Sequence, residues 1–357
     1  MLTRSTLGMM HLMQPLQLLI CVLATLAILT LTACTTPRGI TSHPPVTWAI
    51  ALHGGAGTLD RTAPPEELAA YRVSLQAALD VGRERASKGD SALDVAEAVV
   101  RVLENDPRFN AGRGAAFNEK GEHELDASIM DGATLQCGAV AGVRTVKNPV
   151  SLARLVMTQT KHVLLMGDGA EQFADAMAVE RVPNSYFSTD RRRRMLDEVL
   201  RERTSVGPRS DAAPRNPRTT YGTVGCVVRD THGNLAAATS TGGLTGKRFG
   251  RVGDAPIFGA GNYADGYAAI SCTGTGEEFI RHSVARTVAA RIAFGGQSLE
   301  QAAHTLVFNT LKKDDGGLIA INAAGNIVML YNSEGMYRAA ADSTGWQTVA
   351  IFEDDTK

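Results

Sequence analysis

The junction between Gly222 and Thr223 is where the sequence changes character. Before it, residues 205–218 form a polar run with three prolines and no hydrophobic period. After it, Val224-Gly225-Cys226-Val227-Val228 is apolar and reads as a strand. Two roles fit a threonine at such a boundary. It is the first residue of a strand, a position that suits a β-branched side chain. Or it is a nucleophile that the chain exposes by cutting itself between Gly222 and Thr223. The choice has to come from residues elsewhere.

The 357 residues are 44% hydrophobic, enough for one large domain or two small ones. The 36 glycines cluster in short loops beside apolar runs, which suits an enzyme whose backbone approaches its ligand closely. A net charge of -1 gives no bulk attraction to nucleic acid. Residues 1–33 read as an export signal. Arg4 precedes an apolar stretch, 16–31, that ends in Leu31-Thr32-Ala33-Cys34. The stretch is short for a membrane span. The cysteine after Ala33 makes it resemble a bacterial lipoprotein signal, which implies a lipid on Cys34 and, with Thr35 next, the outer membrane facing the periplasm. An ordinary signal peptide or an uncleaved anchor are the other readings. Residues 34–46 would be a tether. Cys137, Cys226 and Cys272 show no CxxC spacing and are expected as buried thiols.

Along the chain, 47–52 reads as a buried strand entering a His53–Gly57 turn. Helices are expected from Pro65 and from Ser91, where Ser91-x-x-Asp94 has capping-box spacing. A loop follows at 103–114, then a hairpin over 124–143 turned at Asp131-Gly132. A helix at 149–160, a strand at 163–166 and a helix at 170–177 close the first part. Residues 190–222, with Arg191-Arg192-Arg193-Arg194, read as a flexible linker. A second hairpin, 223–241, precedes a strand at 268–273, one long helix over 277–294 and a helix at 299–311. Two final strands are expected at 317–322 and 326–331.

Seven motifs then fall in order: His53-Gly54-Gly55-Ala56-Gly57, Phe109-Asn110-Ala111-Gly112, Glu124-Leu125-Asp126-Ala127, Gly222-Thr223-Val224-Gly225, Ala238-Thr239-Ser240-Thr241-Gly242-Gly243, Gly250-Arg251-Val252-Gly253-Asp254 and Cys272-Thr273-Gly274-Thr275-Gly276-Glu277. Together, from Trp48 to near the C-terminus, they resemble the plant-type L-asparaginase and isoaspartyl aminopeptidase family of N-terminal nucleophile hydrolases. The resemblance implies an α+β fold, a four-layer αββα sandwich, with residues 47–222 and 223–357 becoming two subunits of an αβ pair, usually doubled to (αβ)2.

It also implies roles. Thr223 would be nucleophile and, through its freed α-amine, base. That amine has a reference pKa near 8, close to working pH. Thr241 would tune the Thr223 hydroxyl, and Thr273 and Gly274 would form the oxyanion hole. Arg251 would clamp a substrate α-carboxylate and Asp254 its α-ammonium, with Gly276 in the same pocket. Asn110 would position Thr223 or the leaving group. The carbonyls of Leu103, Glu104, Asp106, Phe109, Ala111 and Arg113 would hold a sodium ion, a hard cation suited to oxygen ligands. The implied substrates are β-aspartyl dipeptides and L-asparagine. A glycosylasparaginase and a non-enzymatic, lipid-anchored binding protein on the same fold are the alternatives.

Overall fold

The structure, a computed structural model, describes residues 45–57, 61–206 and 222–356. The signal-like residues, Cys34, most of the tether and residues 207–221 lie outside these. The described residues from Val46 onward belong to one unit.

In chain order the first half comprises β1 (Ala49–Gly57), α1 (Pro65–Ser87), α2 (Ala92–Asn105), β2 (Leu125–Asp131), β3 (Cys137–Val143), α3 (Pro149–Gln159), β4 (Leu164–Met166), α4 (Gly167–Ala176) and α5 (Asp190–Val206). The second half comprises β5 (Val224–Arg229), β6 (Leu235–Thr241), β7 (Asn262–Ala264), β8 (Ala268–Gly274), α6 (Gly276–His282), α7 (Val284–Ala293), α8 (Leu299–His304), β9 (Gly316–Asn322), β10 (Ile327–Tyr331), β11 (Gly335–Asp342) and β12 (Gln347–Ala350).

Alternation along the strands sorts these elements into four layers. On β1, Ile50 and Leu52 face α1 and α2, where they join Leu75, Leu79, Val95 and Val99. Ala49 and Ala51 face the other way and meet Ala269, Ile319 and Ile321 of a second sheet. On β8 and β9, Ile270, Leu318 and Ala320 face α7 and α8. The result is helices, an eight-stranded sheet, a four-stranded sheet and helices: the expected αββα sandwich. The sheet orders are β12-β11-β1-β5-β6-β2-β3-β4 and β10-β9-β8-β7. Small residues dominate between the sheets, so the two backbones need little room.

Local signals explain the helices. Pro65 is the first helical residue of α1, with Glu66 and Glu67 in its first turn. The Ser91 hydroxyl caps α2 by accepting from Asp94 N–H at 3.2 Å, a contact worth about 1 kcal/mol.

Four expectations need correcting. Residues 53–57 are strand, not turn: β1 runs through to Gly57, and its pairing with β11 takes up a bulge between His53 and Gly55. The 190–222 linker is helical over Asp190–Val206, because Thr189 caps it and Leu196 and Val199 are buried. The single helix over 277–294 is two, broken where Ser283 takes φ 45°. The chain does not end its strands at β10. Gly335–Asp342 forms β11, which pairs along β1, and β12 lies outside it. Cys226 and Cys272 are buried free thiols as expected, whereas Cys137 is partly exposed.

Candidate active site

Thr223 sits immediately before β5, 6% exposed, at the point where the two sheets face each other. Its Oγ1 donates to Thr241 Oγ1 at 3.3 Å. Thr241 Oγ1 donates its single proton to the Gly222 carbonyl at 3.2 Å and accepts Gly243 N–H at 3.0 Å. One hydroxyl thus touches both the Thr223 hydroxyl and the carbonyl before it.

The Thr223 carbonyl is held separately. His53 Nδ1 lies 2.8 Å from it. A carbonyl only accepts, so Nδ1 carries the proton and Nε2 must accept. It does so from Ser271 Oγ at 2.8 Å. Ser271 in turn lies 2.8 Å from Thr239 Oγ1, which accepts from Asn262 Nδ2 at 3.2 Å. Every bond in this chain runs one way, toward Thr223. Burial pushes the His53 pKa down to about 3, against the bond to the Thr223 carbonyl, so the imidazole is neutral at neutral pH. Gly225 is what lets the chain pass: a Cβ there would lie 2.0 Å from Ser271 Oγ and 2.5 Å from His53 Nε2. Gly55, at φ 117°, does the same for the bond before Thr223, since its Cβ would meet Gly222 Cα at 2.8 Å.

A cleft opens beside Thr223, lined in part by Thr241, Arg251, Asp254 and Gly274. Arg251 is gripped from behind by Glu277, with Nε–Oε1 and Nη2–Oε2 both 2.9 Å. Asp254 is buried, and its Oδ2 has no hydrogen-bond partner among the described residues. Burial raises its pKa to about 7, an effect that nearby Arg251 opposes. An acceptor left unpaired in such a place fits a cationic ligand. Glycines make the space. A Cβ at Gly276 would lie 2.7 Å from Arg251 Nη2 and 2.9 Å from Asp254 Oδ1. Gly276 therefore shapes the pocket by lacking a side chain.

Thr273 is fully buried on β8, beside the cleft, and its Oγ1 accepts Ala56 N–H at 3.2 Å, which leaves its own proton to donate. Asn110 is spent on the backbone: Nδ2 donates to Gly243 O at 2.8 Å and Oδ1 accepts Ala116 N–H at 2.7 Å. It ties two loops together under Gly222. Sequence reasoning missed Ser271, Thr239, Glu277, Arg192 and the side-chain role of His53. Glu277, Thr239 and His53 stood inside quoted motifs. Nothing in the order of residues shows that Ser271 and Thr239, on different sheets, would meet.

The 103–114 loop reaches the cleft's lining through Asn110, which bonds Gly243 O. Among the described residues, no three His, Cys, Asp or Glu side chains are placed to hold a metal. The Glu104 carboxyl is turned to Ser240 Oγ at 2.7 Å and Val150 N–H at 3.0 Å. Of the six carbonyls expected to hold an ion, those of Leu103, Glu104 and Asp106 accept the N–H groups of Asp106, Arg113 and Phe109 at 3.3, 2.7 and 3.3 Å. A Cβ at Gly114 would lie 2.4 Å from Pro107 O and 2.7 Å from Phe109 O, and one at Gly112 would lie 2.3 Å from Glu104 O. The carbonyls of the buried residues Phe109 and Ala111 accept no hydrogen bond from the described residues. Such carbonyls fit a hard cation.

A family model described as asparaginase matches residues 46–351, the whole of the sandwich. The chain belongs to that hydrolase family. An isoaspartyl peptidase of Escherichia coli is 47% identical over 310 residues, 85% of this chain and 96% of its own. A probable isoaspartyl peptidase/L-asparaginase of Arabidopsis thaliana is 44% identical over 324 residues, 86% and 99% of the two chains. The mouse isoaspartyl peptidase/L-asparaginase is 42% identical over 299 residues, 83% and 88%.

Proposed function

We propose that this asparaginase-family chain cuts itself between Gly222 and Thr223 and then hydrolyses β-aspartyl peptides and L-asparagine. The observation that carries the reading is the double contact of Thr241, with the Thr223 hydroxyl and the Gly222 carbonyl. The relatives' names support the substrate class.

Self-cleavage begins when Thr223 Oγ attacks the Gly222 carbonyl, whose oxygen is polarised by the Thr241 hydroxyl. The C–N bond breaks as the ester forms, and the Oγ proton passes to nitrogen, freeing the Thr223 α-amine; one water then hydrolyses the ester to a Gly222 carboxylate and restores the Thr223 hydroxyl. That amine then takes the Thr223 hydroxyl proton when Oγ attacks a substrate β-carbonyl. Thr273 Oγ–H and the Gly274 N–H receive the oxyanion. The amine passes the proton to the leaving nitrogen. A second water hydrolyses the β-aspartyl ester and releases aspartate. Arg251 holds the α-carboxylate and Asp254 the α-ammonium, so the β-carbonyl is the part presented to Thr223. A binding protein would not need an unpaired acid beside a nucleophile.

We also infer that the 103–114 carbonyls hold a sodium ion, which secures the loop from which Asn110 reaches under Gly222. Cys34 carries a lipid at an exported N-terminus. The cut chain is an αβ pair that doubles to (αβ)2.

Mass spectrometry and gel analysis of the purified protein test the core of this. Two fragments of about 20 and about 14 kDa are expected, with a new N-terminus at Thr223 and a diacyl mass on Cys34. Thr223→Ala stays one chain and loses turnover by about 10⁴-fold or more. A wild type that is active as one polypeptide sinks the proposal. Replacing sodium with choline lowers the melting temperature by a few degrees if the loop binds the ion; equal melting in both salts removes the ion.

A further inference from the structure

Arg192 is a buried cation with no acid to face. It lies in the first turn of α5 and is 4% exposed. Its Nε donates to Gly114 O at 2.6 Å, and Nη1 leans on Met195 Sδ at 3.7 Å. Among the described residues no carboxylate pairs with it. Burial, and Arg191 beside it, lower its pKa to about 9. A buried guanidinium without a counter-charge is costly, and its open edge is a planar fork shaped for a carboxylate. Gly222 lies near that edge. A Cβ on Gly222 would lie 3.9 Å from Arg192 Nη2.

Two carboxylates arise at this spot. Cutting before Thr223 makes one from Gly222 itself. The other comes with substrate. The Thr223 α-amine must deliver its proton to the leaving nitrogen from about 2.6–3.2 Å. That nitrogen therefore takes the space that Gly222 holds in the uncut chain, where it is bonded to the same Thr223 nitrogen. When the leaving group is an amino acid, its α-carboxylate is two bonds further on.

We propose that Arg192 is a carboxylate-binding residue on the leaving side of the cut amide. Its ligand is the α-carboxylate of the released residue or the new carboxylate of Gly222. The proposal rests on the self-cleaving β-aspartyl peptidase reading. In the first case it makes the enzyme discriminate between leaving groups, a property that Arg251 and Asp254 do not supply because they hold the other half of the substrate.

The test compares self-cleaved wild type, Arg192→Gln and Arg192→Lys on β-aspartyl-leucine, β-aspartyl-leucine amide and L-asparagine. Wild type is expected to favour the free acid over its amide by about tenfold, the value of one charge-assisted pairing. Arg192→Gln loses that preference through KM, and turns over L-asparagine within twofold of wild type. Arg192→Lys keeps the charge without the fork and retains part of the preference; it carries the comparison if the Gln variant does not fold. A second arm reads melting temperatures of cut protein and of uncut Thr223→Ala, each with and without Arg192→Gln. If Gly222 is the source, the cut form loses several degrees more than the uncut form. Equal losses on all three substrates, with equal melting shifts, mark an arginine that merely supports Gly114 and overturn the proposal. A wild type that stays uncut, or that hydrolyses none of the three, shows instead that the underlying reading has failed, and Arg192 falls with it.

Discussion

The two sides of Thr223 are built on opposite principles. On the substrate side, charge is arranged before any ligand arrives: Glu277 grips Arg251 through two bonds, and glycines at 253, 261 and 276 leave room around Arg251 and Asp254. On the Gly222 side, the chain is held by close approach: the Gly55 backbone and the Asn110 side chain lie against the residue, and Arg192 meets no acid among the described residues. Under the proposed function, the difference teaches that one side is built for repeated exchange of a zwitterion, and the other around a bond that is broken once.

The comparison breaks most readily at Arg251. Arg251→Met should lower kcat/KM on β-aspartyl-leucine by about 10³-fold, the upper range for removing one partner of a desolvated charge pair. Self-cleavage, followed on gels, should keep its half-time within twofold. If both fall together, the two sides are one site. Asp254→Asn should cost about 10²-fold by the same logic. Its pH dependence sharpens the point. Burial puts the Asp254 carboxyl at about 7. The ammonium is attracted by the ionised form, which grows as pH rises. Wild-type kcat/KM should therefore climb from pH 5.5 to 7.5, and the variant should lose that inflection.

The smallest effect lies at His53, which holds the Thr223 carbonyl between the two sides. Its folded pKa, about 3, is below the ordinary 6.5. A lowered histidine pKa gives stability that is complete above 6.5 and is lost as pH falls toward 3. In the uncut Thr223→Ala background, the stability gap between His53 and His53→Asn should narrow by about 2 kcal/mol from pH 7 to pH 5 in urea unfolding. A constant gap would mean that the imidazole is not held neutral.

Much of this was legible in the residues. Alternating apolar runs marked β2, β3, β5, β6, β8, β9 and β10, and the ordered motifs located Thr223, Thr241, Arg251, Asp254 and Gly274, which the fold gathers at one cleft. What failed to show has physical causes. β11 is Gly-Met-Tyr-Arg-Ala-Ala-Ala-Asp, poor in β-branched residues, and is made a strand by pairing along β1. α5 hid behind four arginines. Arg191 donates to Tyr71 Oη at 2.7 Å, Arg192 is buried, and Arg193 lies 4.1 Å over the Phe117 ring, so a charge run that reads as solvated is largely packed. His53 meets Thr223 and Ser271 across 170 and 218 positions of chain, and no local pattern encodes that.

β1 comes from before Thr223, yet its neighbours on both edges, β11 and β5, come from after it, and β2 lies beside β6 in the same way. A break at Gly222 therefore removes no rung from the ladder. It changes the molecularity of folding instead. The intact chain closes its sheet in a first-order process, but two separated pieces would have to find each other, at a rate set by concentration. The finished enzyme is then easier to keep than to rebuild. Once denatured at low concentration, the cut protein should recover far more slowly than its uncut precursor.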